Sequence, residues 1–312
     1  MATNPQGAVL NTALTEYAFQ IAADYKGIEE ECNFLAPRVV TGAKKGDFSI
    51  FDTKQAFLNY DAQRAIGGPR RRIKHAGTTG SYNNRPIGLE IGLDDAEVES
   101  DSSRPKQEKA KINTLMSNWS GSRFVRAWTV ATTSGNYTAS TVTNSGKWSS
   151  GSIDPIKVLD EEIAQFANRT GRLPNRGMLA LDNWITLRHH PEAIKRQPGA
   201  ANIGISLEQL SAMLAAPIEF RLNKTYIATT GFGSSTDTKA AKVLGYCMLW
   251  LAQNTATTED PSWLKTTSRD IGGFAGVMQY RDNTCNSDIF YLDDEEDVVC
   301  ASALCAQLIT IS

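Results

Sequence analysis

The run from Asp154 to Gly171, DPIKVLDEEIAQFANRTG, is the most tightly specified local structure in the chain. Asp154 is a helix-capping residue, Pro155 sits where a missing backbone N–H costs nothing, and Gly171 supplies the stop. Between them Ile156, Leu159, Ile163 and Phe166 fall on one stripe, so this helix must lay a single face on a partner layer. The following residues provide that layer. MLAL at 178–181 reads as a short buried strand, and Asp182 opens a second helix that turns Trp184 and Leu187 inward before Pro191 breaks it. SLEQ, Ser206 to Gln209, has the spacing of a capping box and starts a third helix that carries Leu207, Leu210 and Leu214 and ends at Pro217. IEFRLNKTYIA, KVLGYCMLWLA, FAGVMQY, DIFYL and VVCASALCAQLITI read as strands. Helices and strands are mixed without a strict βαβ alternation, and no internal repeat is present, which removes solenoids and propellers.

Three further stretches precede this region. Residues 8–26 place Leu14, Tyr17, Ala18 and Ile21 at helical spacing, an amphipathic arm followed by the acidic cluster Glu29, Glu30 and Glu31. Over 44–85 nine basic residues (Lys44, Lys45, Lys54, Arg64, Arg70, Arg71, Arg72, Lys74 and Arg85) face only Asp47, Asp52 and Asp61. With its glycine-rich tip GGPRRRIKHAGTTG, this stretch predicts a long two-stranded excursion that buries no core of its own. PKQEKAKINTLMSNWSGSRFVRAWTVA then opens with Pro105 and sets Ile112, Leu115 and Trp119 on one side, the longest helix of the chain. TTSGNYTASTVTNSGKWSSGS, with Tyr137, Val142 and Trp148, predicts a hairpin or ordered loop.

Composition excludes several classes. A net charge of −2 over 312 residues describes neither a basic coat for nucleic acid nor an acidic solvating chain, so charge-driven binding has to be local. The first residues lack a basic start and an apolar core of signal-peptide length, and no run approaches a membrane span, so no membrane partner is expected. Cys32, Cys247, Cys285, Cys300 and Cys305 show no CxxC spacing, which argues against a zinc site and for reduced thiols of a cytoplasmic protein.

Catalytic constellations are weak. His189 and His190, in HHPE, are adjacent and point to different faces of a helix, whereas a helical zinc pair needs i, i+4; with Glu192 behind Pro191 they predict a solvated helix end. GFGSST at 231–236 and TGAKKGDFS at 41–49 lack the lysine and helix of a phosphate loop and read as turns. There is no GxSxG elbow, the third histidine, His75, lies in the basic excursion, and Cys247 lies in an apolar strand. LDDEEDVV at 292–299 lacks the alternation and central glycine of a calcium loop and predicts a solvated turn. No catalytic, metal or cofactor residue is therefore expected. The basic tip is different: Arg70, Arg71, Arg72 and Lys74 are expected to contact nucleic acid or an acidic surface of a neighbouring copy. The acidic candidates are Glu29, Glu30 and Glu31, and Asp293, Asp294, Glu295 and Glu296 with Asp297.

The order of elements carries a resemblance. Trp148, Asp154 with Pro155, TGRLPN at Thr170 to Asn175, Met178 to Leu181, His190 with Pro191, Lys195 with Arg196, and Ser206 to Ala216 follow one another as in the central domain of tailed-bacteriophage major capsid proteins. The arm, the long loop, the helix preceded by LDDAEVES and the returning C-terminal strands are similar too. One departure is Ala215-Ala216-Pro217, where that family often has an aromatic residue and a glycine.

The resemblance implies an α+β chain of the Hong Kong 97-type capsid fold. Its expected parts are an N-terminal arm (1–45), an extended loop (46–88), a peripheral domain with a long spine helix (89–150 and 259–312) and an axial domain (151–258). It implies a virion shell subunit that forms hexamers and pentamers around double-stranded DNA without sequence specificity. Scaffold, portal and decoration proteins are the expected partners. It also makes the His-Pro pair a recurring helix end. An encapsulin-like nanocompartment shell is the alternative of the same fold, and an intracellular hydrolase using His189 or His190 is the alternative of another class.

Overall fold

The computed structural model describes residues 9–24, 26–50, 63–64, 66, 70, 78–98, 100, 102–140, 148–151, 153–196, 204–223, 225–230, 238–243, 245–253, 255–269 and 276–311. In chain order the elements are β1 (Val9–Leu10), α1 (Thr12–Asp24), α2 (Lys26–Leu35), β2 (Arg38–Val40), β3 (Lys45–Ile50), β4 (Thr78–Asn83), β5 (Arg85–Asp94), α3 (Arg104–Ala131), β6 (Thr138–Ala139), α4 (Pro155–Thr170), β7 (Arg176–Leu179), α5 (Leu181–Arg188), α6 (Pro191–Lys195), α7 (Leu207–Met213), β8 (Glu219–Leu222), β9 (Tyr226–Ala228), β10 (Lys239–Ala241), β11 (Tyr246–Trp250), β12 (Leu264–Ser268), β13 (Met278–Asp282), β14 (Ser287–Cys300) and β15 (Ala306–Thr310).

Helix α4 forms as its ends dictate. The Asp154 carboxylate accepts from the Ile156 and Lys157 backbone N–H groups at 3.1 and 3.3 Å, and Gly171 takes the left-handed conformation at φ 66°. The capping box of α7 is complete: the Ser206 hydroxyl accepts from Gln209 N–H while the Gln209 amide oxygen accepts from Ser206 N–H.

Two sheets organise these elements. One runs β1-β13-β14-β12-β2, with β5 also paired to β14; the other runs β6-β15-β11-β7-β8. In the second sheet the two-residue period of a strand divides β11, with Met248 and Trp250 entering one core and Cys247 and Leu249 another. Helix α4 closes the second of these cores with Ile156, Leu159 and Ile163. The 28-residue α3, about 42 Å long, connects the sheets: Ile112, Leu115, Met116 and Trp119 pack with Phe290 and Leu292 on the first sheet, whereas Phe124, Ala127 and Trp128 join Trp250 and Trp263.

Several expectations change. The run 292–299 is no solvated turn; it lies inside the 14-residue β14. VVCASALCAQLITI is two strands in different sheets, divided by a 3-10 turn at Ala303–Cys305. Residues 306–310 form β15, which pairs along the whole of β11 in the sheet that also holds β7. IEFRLNKTYIA is broken at Asn223, whose amide side chain bonds both the N–H and the C=O of Thr225 and turns the chain. TGAKKGDFS is a turn only at its start, since Lys45 to Ser49 lie in β3. The arm is docked: Leu14 and Ala18 are buried beside α3, Cys32, Phe34 and Leu35 lie in a core, and β2 runs parallel to β12.

Candidate assembly surfaces

The basic excursion begins as the antiparallel hairpin β3–β4. Register pairs Gly46 with Tyr82 and Phe48 with Gly80, so each ring lies over the glycine of the facing strand. A Cβ on either glycine would come closer than 3.0 Å to that ring, which leaves glycine as the residue that fits. The two rings pack with Ile50 on Val299 of β14 and on Ala301 just beyond its end. At the root Asn84, fully buried, donates to Ala43 O at 3.0 Å and Thr41 Oγ1 at 3.3 Å and accepts from Thr267 Oγ1 at 2.7 Å. The excursion is thus pinned at its base and stiffened along its stem. Farther out Arg70 is exposed, and Ile66 is completely so. Arg71, Arg72, Lys74 and His75 lie outside the described residues, as does GFGSST.

The acidic residues of β14 alternate as a strand requires. Asp294 and Glu296 point inward and are buried. Glu296 accepts from Arg123 Nε at 3.1 Å and Arg126 Nη2 at 2.8 Å, with Arg38 Nη1 at 4.0 Å, while Asp294 accepts from Arg38 Nη2 at 2.7 Å. Arg123 and Glu296 are each 2% exposed, so this network ties β2, α3 and β14 together out of water. Glu295 pairs with Arg269 at 3.3 Å, and Asp297 accepts from Asn83 N–H at 3.0 Å. Within the chain Asp294, Glu295 and Glu296 thus pair with arginines and Asp297 with a backbone N–H. Asp293 stays exposed, in a cleft with Glu90, Tyr280 and Tyr291, and partial burial followed by the charge of Glu90 pushes its carboxyl up. In the other cluster Glu30 is exposed, Glu31 is buried and accepts from Thr225 Oγ1 at 3.3 Å, and the side chain of Glu29 lies outside the description.

The histidines take separate parts. His189 is exposed at the end of α5. His190 is buried rather than solvated: it caps the start of α6, its Nδ1 accepting from Glu192 N–H at 3.2 Å, with Nε2 3.5 Å from Ser150 O. An imidazole used as a cap inside the core is a structural group. Burial pushes the Cys247 thiol far above its ordinary value, pushes Cys300 up to about 11 and raises Cys305, so at neutral pH none supplies a thiolate nucleophile. Among the described residues no three His, Cys, Asp or Glu side chains gather around a metal-sized space.

Sequence reasoning missed the three arginines of the buried network. Arg123 and Arg126 stand four and seven residues after Trp119, on the same side of α3, and charged letters within that apolar stripe were the available sign. It also missed β9–β10, a two-stranded ribbon that pairs with no other strand among the described residues and exposes Tyr226 and Ile227.

No protein-family model and no curated protein matches the sequence. Solved structures do. The chain superposes on a phage-related protein from Bordetella bronchiseptica RB50 with a TM-score of 0.70 at 20% identity, covering 98% of both chains. It superposes on a virus-like particle from Pyrococcus furiosus with a TM-score of 0.56 at 6% identity, covering 94% of this chain and 98% of the other. The shared architecture is a mixed α and β fold with a long helix across one sheet and a two-stranded stem. This is the Hong Kong 97-type capsid fold. The capsid proteins that define it are structural and not catalytic.

Proposed function

We propose that this chain is the major capsid protein of a tailed bacteriophage, a head-shell subunit that forms hexamers and pentamers of an icosahedral or prolate shell around double-stranded DNA. The observation that carries the reading, beside the fold, is the excursion: its stem is packed and pinned, and it leads into a basic stretch in which the described Ile66 and Arg70 are exposed. A segment built in this way finds its packing on another copy. Such a contact joins two different surfaces, which is the geometry that closes rings. Many weak contacts then hold the shell by avidity while each remains reversible.

In this reading the body on the six-stranded sheet with α3 is the peripheral domain, and the body on the five-stranded sheet, including β15, is the axial domain. Arg70, Arg71, Arg72 and Lys74 meet acidic groups of the neighbour, for which Glu30 and Asp293 are the exposed candidates. A net charge of −2 suits an inner wall that tolerates packed DNA without gripping it. Scaffold, portal and decoration proteins are the further partners, and the virion is the location. No catalysis, metal or cofactor is assigned.

Negative-stain electron microscopy with size-exclusion chromatography of the chain expressed alone, and again with a candidate scaffold, tests this. Rings or closed shells support it; a uniform monomer or dimer under both conditions rejects it. The likeness to a virus-like particle keeps one second reading, a nanocompartment shell. The content of purified particles separates the two, DNA for the capsid and a cargo protein for the compartment.

A further inference from the structure

On the face of the first sheet turned away from α3, β5, β14 and β13 enclose a cleft of about 250 Å³. Strand alternation puts Tyr291 and Asp293 on that face, opposite Phe290 and Leu292, which pack with α3. Register sets Asp293 across from Gly88 and Tyr291 across from Glu90 of β5, while Tyr280 of β13 stands diagonal to Tyr291, opposite Ile289. The two tyrosine rings meet edge to face with centroids 5.9 Å apart, and the Tyr280 hydroxyl donates to Glu90 Oε2 at 3.3 Å. A Cβ at position 88 would come closer than 3.0 Å to Asp293 Oδ1, so glycine gives this carboxylate room to lie across β5. Two carboxylates and two rings therefore face one space, and among the described residues no lysine, arginine or histidine lines it. The other acids of β14 are answered within the chain, Asp288, Asp294, Glu295 and Glu296 by arginines and Asp297 by a backbone N–H. Asp293 has Glu90 as its charged neighbour instead, and burial followed by that charge raises its carboxyl.

We infer that this cleft is a binding site for a small organic amine, which it holds by the primary ammonium head. The chemistry of the lining selects this class. Aromatic faces attract a cation, and the Glu90 and Asp293 carboxylates accept the N–H donors that a primary ammonium carries and a quaternary one lacks. A hard divalent metal is matched less well: calcium takes about six to eight oxygens, and among the described residues no three His, Cys, Asp or Glu side chains gather. Phosphate-bearing ligands, nucleic acid included, are repelled by the same two carboxylates. The size agrees, since about 250 Å³ lies below the range of about 300–1,000 Å³ for a drug-sized ligand and suits a head group with a short chain. The site belongs to a single subunit and does not rest on the shell reading above. It takes Asp293 out of the candidates for a neighbour's basic loop and leaves Glu30.

The test titrates butylammonium chloride into unassembled full-length subunits and follows the ring signals of Tyr280 and Tyr291 by NMR. Tetramethylammonium chloride and sodium chloride at equal ionic strength are the comparators. The expected result is a saturable shift of both rings with butylammonium, weaker binding of tetramethylammonium, and a linear drift with sodium. Linear drift with the amine as well, or saturation by sodium at the same concentration, overturns the site. Asp293→Asn and Tyr280→Leu should each weaken binding about tenfold, whereas Tyr280→Phe, which keeps the ring, should bind as the wild type does. Asp293 is exposed and Tyr280 half-buried, so each variant should fold, and thermal melts check this. Undiminished binding by Tyr280→Leu would reduce the cleft to an acidic surface and overturn the inference; so would a tenfold loss in Tyr280→Phe. Repeating the titration on assembled particles separates a free amine from a basic side chain of another copy. Retained binding supports the free ligand, and loss of the probe's access overturns it. A failure to form particles counts against the shell reading alone, because the subunit titration stands without it.

Discussion

Replacing Glu296 by methionine probes the tie between the arm, the long helix and the first sheet. Glu296 and Arg123 are each 2% exposed and lie 3.1 Å apart, and Arg126 and Arg38 reach the same carboxylate at 2.8 and 4.0 Å. Removing the carboxylate takes from the buried Arg123 guanidinium its 3.1 Å acceptor in a place that water does not reach. Breaking a buried pair in this way costs about 3–5 kcal/mol. At about 2 °C per kcal/mol for a chain of this size, the melting temperature should fall by about 6–10 °C. The double variant Arg123→Met, Glu296→Met removes both charges and restores apolar volume, and it should recover most of the loss, since a matched apolar pair replaces a buried ion pair at little cost. Thermal and urea unfolding of unassembled subunits, run as a double-mutant cycle, read both values. A loss below about 1 kcal/mol for Glu296→Met, or a double variant no better than the sum of the singles, would refute the reasoning. The loss should also be nearly independent of salt, because a buried pair is screened little.

Gly80→Val places a branched side chain where the Phe48 ring lies, and the stem should lose about 1–3 kcal/mol of local stability, read as faster amide exchange in 45–50 and 78–83. His190→Ala removes a cap and leaves a small cavity, costing about 1–2 kcal/mol with particle yield unchanged; His190→Asn, which can still accept from Glu192 N–H, should recover part of this in thermal melts. Asp293 binds its proton more tightly in the folded chain than in the unfolded one. Its contribution therefore makes stability rise as pH falls through the folded value, and the gain is complete below the ordinary carboxylate value of about 3.9. Asp293→Asn should flatten that part of a stability profile measured against pH on unassembled subunits.

Much of the frame was legible in particular residues. Asp154, Pro155 and Gly171 bound α4, Ser206 and Gln209 start α7, and Pro105 with Ile112, Leu115 and Trp119 mark α3, because capping and helical periodicity are local effects. The order of these elements also carried the resemblance to a capsid fold. What was not legible depended on distant partners. LDDEEDVV looked like a solvated turn since five acids in a row suggest water, yet alternate members meet Arg38 and Arg123 from remote parts of the chain. His190 looked solvated because a cap depends on which way the imidazole turns. The open ribbon at Tyr226 was hidden for the opposite reason: its letters read as an ordinary strand, and only the sheet topology shows that no third strand joins it among the described residues.

The pinned root of the excursion has a thermodynamic consequence. With Asn84 holding Thr41, Ala43 and Thr267, and with two aromatic rings laid over the facing glycines, the stem is ordered when the subunit folds. The ordering entropy of those residues is thus spent in folding and not at the moment two copies meet. A neighbour that meets the stem therefore meets a surface already fixed in direction, which raises its effective concentration there without adding a single contact.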